Sequence, residues 1–129
     1  MDKTEIRKEA RLYFIPFLLG NNATSRKLSK KIYRKYRIAC YILDANQTLA
    51  STFKISSKFI KLTNPKNFAL RASELIYLAE QCQYTLPILI PCSKEYERLV
   101  NEQKDLLESS FVISSCNYAL ELSPLNIIP

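Results

Sequence analysis

The chain has 129 residues, 47% hydrophobic and 24% charged, a balance that fits one globular domain and excludes a disordered polymer. Nineteen basic residues against twelve acidic give a net charge of +7, which favours anionic partners and says nothing of the fold. Histidine is absent, so Ser–His and Cys–His nucleophilic pairs, a histidine general base and histidine metal ligands are excluded within the chain.

Residues 1–12 form a charged lead-in. They mix Asp2, Glu5 and Glu9 with basic residues, unlike the basic start of a signal peptide. No run reaches the about 20 apolar residues that span a bilayer, and a cytoplasmic location is expected. Residues 13–19 are apolar and predict a first strand, which begins after Pro16 or includes it near its start, because proline cannot donate to a central ladder. Gly20, the only glycine, follows where strand hands over to helix, a junction that needs positive φ or close backbone approach. Asn21, Asn22, Thr24 and Ser25 can cap the next helix.

That helix is predicted over 23–36, with Leu28, Ile32 and Tyr36 at i, i+4, i+8 and Tyr33 widening the stripe. Its other face carries Arg26, Lys27, Lys30, Lys31, Arg34 and Lys35. The continuous apolar run 38–43 predicts a second strand buried on both faces. Residues 48–58 are polar with isolated apolar positions and suggest a loop or short helical turn. A third strand is expected over 59–62 and a second helix over 68–82, with Phe68, Ala72, Leu75, Ile76, Ala79 and Cys82 on one face. The proline-bracketed run 87–91 predicts a fourth strand. Ser93 is a natural N-cap for a third helix, and Glu95 suits its first turn. A fifth strand over 111–113 and a short helix ending before Pro124 complete the pattern. Strands alternating with helices predict an α/β, Rossmann-like three-layer sandwich, with a parallel sheet of four to five strands in the order 3-2-1-4-5.

The four cysteines (Cys40, Cys82, Cys92 and Cys116) lack C-x-x-C spacing, so buried free thiols are expected rather than zinc. A glycine-rich dinucleotide loop is missing. Asp44, after the second strand, occupies the place of a ribose-binding acid, a weak signal on its own. Cys92 stands at a strand end near a helix N-terminus, where a thiol pKa can fall, but it has no histidine to activate it.

The segments 14–21 (FIPFLLGN), 56–58 (SSK) and 86–96 (LPILIPCSKEY) resemble the N-terminal, pre-ATP-grasp domain of ATP-grasp carboxylate–amine ligases, nearest the branch that includes D-aspartate ligases of cell-wall synthesis. The resemblance covers most of 13–123. It implies a Rossmann-like domain that contributes Gly20, Asn21 and Asn22 after the first strand, and Cys92, Ser93 and Glu95 after the fourth, to the substrate side of a cleft. It implies ATP and Mg²⁺ for the full-length family, held by central and C-terminal ATP-grasp domains, and no cofactor or catalytic residue in this chain. Many relatives carry an acid just after the glycine, from which Asn21 and Asn22 depart. An amino-acid substrate follows from the same resemblance.

Each feature also has a plainer reading. Gly20 serves any strand–helix turn, Ser93 is simply a cap, and the basic helix face is the solvated side of an amphipathic helix. The rival reading takes that face as a binding module for nucleic acid or an acidic protein, although no nucleic-acid motif accompanies it. Residues 124–129 end on Ile127, Ile128 and Pro129. They are expected to pack on a second copy of the chain, as in a homodimer, or to lead into the ATP-grasp domains. In the latter case an apolar patch is expected beside the Gly20 and Cys92 turns.

Overall fold

The computed structural model describes residues 14–45, 57–63, 67–82 and 85–115. In chain order these form β1 (Phe14–Leu19), α1 (Ala23–Tyr36), β2 (Cys40–Asp44), β3 (Ser57–Lys61), α2 (Phe68–Glu80), β4 (Leu86–Pro91), α3 (Lys94–Glu102), α4 (Lys104–Leu107) and β5 (Val112–Ile113). The five strands make one sheet in the order β3-β2-β1-β4-β5, and every pair is parallel. Fold class and strand order are those expected from the sequence.

Side chains alternate across the central strands and so build two cores. On one face Phe14, Leu18, Ile42, Ile88 and Ile90 meet Leu28, Ile32 and Tyr36 of α1. On the other, Phe17, Leu19, Leu43 and Leu89 meet α2, α3 and α4 through Ala72, Leu75, Tyr96, Leu99 and Leu107. Phe17 centres the second core, with Tyr41 and Phe111 edge-on at 5.3 Å each.

The prolines fit because of where their missing donors fall. The Gly20 N–H donates to the Leu43 carbonyl of β2, so by the two-residue alternation Pro16 also presents its nitrogen towards β2. The β1–β2 ladder begins one residue later, at Phe17 with Tyr41, and no bond is lost. The Ser114 N–H donates to Leu89 on the β5 side. Pro87 and Pro91 therefore face β5, on either side of a ladder limited to Ile88 and Leu89.

Several boundaries shift by one or two residues, β2 to Cys40–Asp44 and α2 to Phe68–Glu80 among them, and β3 shifts at both ends. Ser57 and Lys58, read as loop, open β3 in register with Cys40 and Tyr41. This strand lies at the sheet edge, where polar side chains are common. The rest of 48–58, the helix before Pro124, Cys116 and the 124–129 tail lie outside the described residues. Among those described, no helix is long and apolar enough to cross a membrane.

Candidate functional site

A parallel sheet gathers the carboxyl ends of its strands at one edge, and here the turns after β1, β2, β3 and β4 converge. Gly20 sits at φ +115°. A Cβ built on it would lie 3.3 Å from Asn22 Nδ2 and 3.6 Å from Tyr96 Cδ2, so dihedral angle and crowding both select glycine.

Asn22 caps α1. Its Oδ1 accepts from the Ser25 N–H at 2.9 Å, while Ser25 Oγ accepts from the Asn22 N–H at 3.1 Å, a reciprocal capping box. Asn22 Nδ2 donates to the Cys92 carbonyl at 3.0 Å and joins the β1 and β4 turns. The N–H of Asn21, a residue expected on the substrate side of a cleft, donates to Asp44 Oδ2 at 2.8 Å. The anion that meets this turn is thus the protein's own.

Asp44 is the centre of the cluster. Its Oδ1 accepts from the Ala45 N–H at 2.7 Å and from the Tyr96 hydroxyl at 2.9 Å. Tyr96 comes from α3 and is 3% exposed. Burial first, then the Asp44 charge, drives its pKa upward, while Arg71 opposes the rise. The phenol is therefore held protonated, as a donor. Ser93 caps α3 by accepting from the Tyr96 N–H at 3.2 Å, and the buried Cys92 thiol donates to the Ile90 carbonyl at 3.6 Å. The Tyr96 ring lies against Gly20 and fills the space beside the β1 turn.

The open space lies next to it. A cleft of about 470 Å³ is lined by Asp44 and Ala45 after β2, Lys61, Leu62 and Thr63 at the end of β3, Arg71 of α2 and Glu95 of α3. This volume falls within the range of small-molecule sites. Arg71 is 3% exposed yet reaches the cleft wall. Its Nη1 lies 3.3 Å from Glu95 Oε1, and its guanidinium is 5.1 Å from the Tyr96 ring centroid. Glu95 is 61% exposed and forms the rim. Thr63 is fixed by Glu74 Oε2, which accepts from the Thr63 N–H at 2.9 Å and from its hydroxyl at 2.8 Å.

Of the residues expected at a substrate site, only Glu95 lines this cleft. Gly20, Asn21, Asn22, Cys92 and Ser93 build the adjoining wall and hold it in place. Lys61, Thr63 and Arg71 were missed. The signal for Arg71 was its place four residues before Leu75 on the buried stripe of α2, where a solvated arginine has no reason to be.

The residues of this edge do not fit a nucleotide. Only one glycine is available, and the Asn21, Asn22 and Ser25 amides bond within the protein. Among the described residues no group of three or more cysteines or carboxylates is placed to hold a metal. The described large apolar side chains that are exposed are Leu70, Tyr77 and Leu106. They stand on α2 and α4, so the apolar patch expected beside the Gly20 and Cys92 turns is not found there among the described residues.

The basic residues lie across the sheet, on α1. Lys27, Lys30, Lys31, Arg34 and Lys35 are exposed, and Arg26 is half-buried with its Nη1 donating to Asn21 Oδ1 at 3.3 Å. No protein-family model, curated protein or solved structure matches the chain.

Proposed function

We propose that this chain binds a small amino acid or related carboxylate at the carboxyl edge of its sheet, as the substrate-side domain of an ATP-dependent carboxylate–amine ligase of the D-aspartate type. The observation that carries this reading is Arg71, a buried guanidinium at the wall of an open cleft. Ligands of open α/β sheets bind outside the carboxyl ends of the strands. Arg71 offers a carboxylate a planar, charge-assisted fork, Lys61 adds a second positive charge, and Glu95 at the rim can receive an ammonium group. Opposite charges lining one cleft suit a zwitterion, whose two ends would compete with the existing Arg71–Glu95 contact. Asp44 contributes by holding Tyr96 and the β1 turn, since three donors already engage its carboxylate. ATP and Mg²⁺ supply the activating phosphoryl chemistry in such ligases, and they belong to ATP-grasp domains rather than to any residue described here.

Isothermal titration with D-aspartate, L-aspartate, other amino acids and simple dicarboxylates tests the reading. One of these is expected to bind, with affinity lowered about 10- to 100-fold in Arg71→Met, the loss of one charge-assisted contact. Lys61→Gln, at an exposed position, should weaken the same ligand without affecting the fold. Binding of none of them, or binding indifferent to both substitutions, sinks the proposal. The chain alone is expected to show no Mg²⁺-dependent ATP turnover with any of these ligands.

A further inference from the structure

We infer that the exposed face of α1 binds the phosphate backbone of duplex nucleic acid without reading its sequence. The inference goes beyond the ligase reading and rests on a different face of the molecule. Residues 23–37 hold seven of the nineteen basic residues and no acid, so the remaining twelve basic residues balance the twelve acidic ones. The entire net charge of +7 is therefore concentrated on one helix and its cap.

Lys27, Lys30, Lys31 and Arg34 are spaced i, i+3, i+4, i+7 and occupy one stripe, all of it exposed. The ion pairs among the described residues, Arg71–Glu95, Arg98–Glu102 and Lys104–Glu108, leave these four cations unpaired. Like charges three and four residues apart repel. The helix holds them because both ends are capped, by the Asn22–Ser25 box and by Arg37 at φ 58°, whose N–H donates to the Tyr33 carbonyl.

The surroundings of the stripe select the partner. Insertion into a lipid surface needs apolar side chains facing out, but Leu28, Ile32 and Tyr36 are buried in the core. A protein partner needs an aromatic or aliphatic anchor, and the stripe has none. Single strands bind by stacking on exposed aromatic rings. Here Tyr36 is buried, and the half-buried Tyr33 lies under the Arg37 guanidinium at 5.5 Å from its ring centroid. What remains is a regular polyanion met by charge alone. Lys27 and Arg34 stand about 10 Å apart along the helix axis, close to the about 12 Å width of a major groove flanked by phosphates.

Fluorescence anisotropy with labelled DNA and RNA duplexes of mixed sequence tests this. Binding is expected to weaken from about 50 to 200 mM salt with a log–log slope near −3.6, the value for about four neutralised phosphates. Replacing Lys27, Lys30, Lys31 and Arg34 together by Gln should remove nearly all of that slope, about 3.6 units, and lower affinity at least about 10-fold at the lowest salt. Lys27→Arg with Lys30→Arg and Lys31→Arg should preserve both. Retained binding to one duplex type only identifies which geometry is preferred and supports the inference. No binding to either duplex, unchanged binding by the Gln variant, or tighter binding to phosphatidylserine vesicles or polyglutamate overturns it.

Discussion

The Tyr96 hydroxyl donates to Asp44 Oδ1 at 2.9 Å across 52 residues of sequence. This bond joins the end of β2 to the first turn of α3 and stands between the β1 turn and the open cleft. Tyr96→Phe keeps the ring against Gly20 and removes only the donor. It is expected to cost about 1–2 kcal/mol at neutral pH, as for a hydrogen bond to a charged group, measured from urea unfolding. Asp44→Ala should cost more, because the Asn21 and Ala45 amides lose their acceptor as well.

The same pair sets an alkaline limit. The Tyr96 pKa is raised above its ordinary 10.0 by burial and then by Asp44, so its contribution is complete below about pH 10 and is lost as pH rises through the folded-state value. The buried Cys40 thiol, pushed from 9.0 up to about 12 by burial, acts in the same direction from about pH 9 upward. Stability should therefore fall from about pH 9 upward, and Tyr96→Phe should fall less steeply than wild type above about pH 10. Equal slopes for the two proteins would show that the tyrosine does not titrate in this way.

Gly20→Ala places a side chain at φ +115° and presses it on Asn22 Nδ2 at 3.3 Å. A cost of about 1–3 kcal/mol is expected. Asn22→Ala removes the cap and the bond to the Cys92 carbonyl, at about 1–2 kcal/mol. Because the new methyl group is crowded by the amide that the second substitution deletes, the double variant should cost less than the sum, with a coupling of at least about 0.5 kcal/mol. Strict additivity in chemical denaturation would mean that the two turns are independent.

Arg71 and Glu95 form an unequal pair. Glu95 is 61% exposed and Arg71 3%, so water screens the acid while the base depends on the fold. Glu95→Gln should change stability by less than about 1 kcal/mol. Arg71→Met, which retains much of the aliphatic stem and loses the contact with the Tyr96 ring, should cost about 1–3 kcal/mol. Thermal unfolding of both variants checks the asymmetry, and equal losses contradict it.

The fold could be read in the sequence where burial is continuous. The runs at β1, β2 and β4 lie between layers on both faces, and the basic and apolar stripes of α1 mark its two sides without ambiguity. The reading was less exact where burial is partial. β3 is an edge strand expected over 59–62 and found over Ser57–Lys61; its polar Ser57 and Lys58 look like loop, and Phe59 and Ile60 are too few to show where a period begins. The site was legible in its backbone parts, Gly20 and the caps Asn22 and Ser93, because each is a local requirement on dihedral angles or orphan amides. Of the charged parts only Glu95 was legible, from its place in the first turn of α3. Asp44 looked like a ligand-binding acid because its three donors come from residues 21, 45 and 96, which only the folded sheet brings together. Arg71 went unread although it lies on the buried stripe of α2, because its partners Glu95 and Tyr96 come from α3, more than twenty residues further on.

The prolines of β4 have a consequence for self-association. An edge that sheds its last strand normally offers a row of amides on which another chain can grow, the first step of sheet-to-sheet aggregation. β5 is only two residues long, so its loss is a modest local event. Pro87 and Pro91 present ring carbons on that side, and between them Leu89 alone can donate an N–H. A β4 edge uncovered by fraying thus gives an incoming strand one amide bond where an all-amide strand would give three. The chain has built resistance to runaway β-polymerisation into the strand that its shortest neighbour leaves least protected.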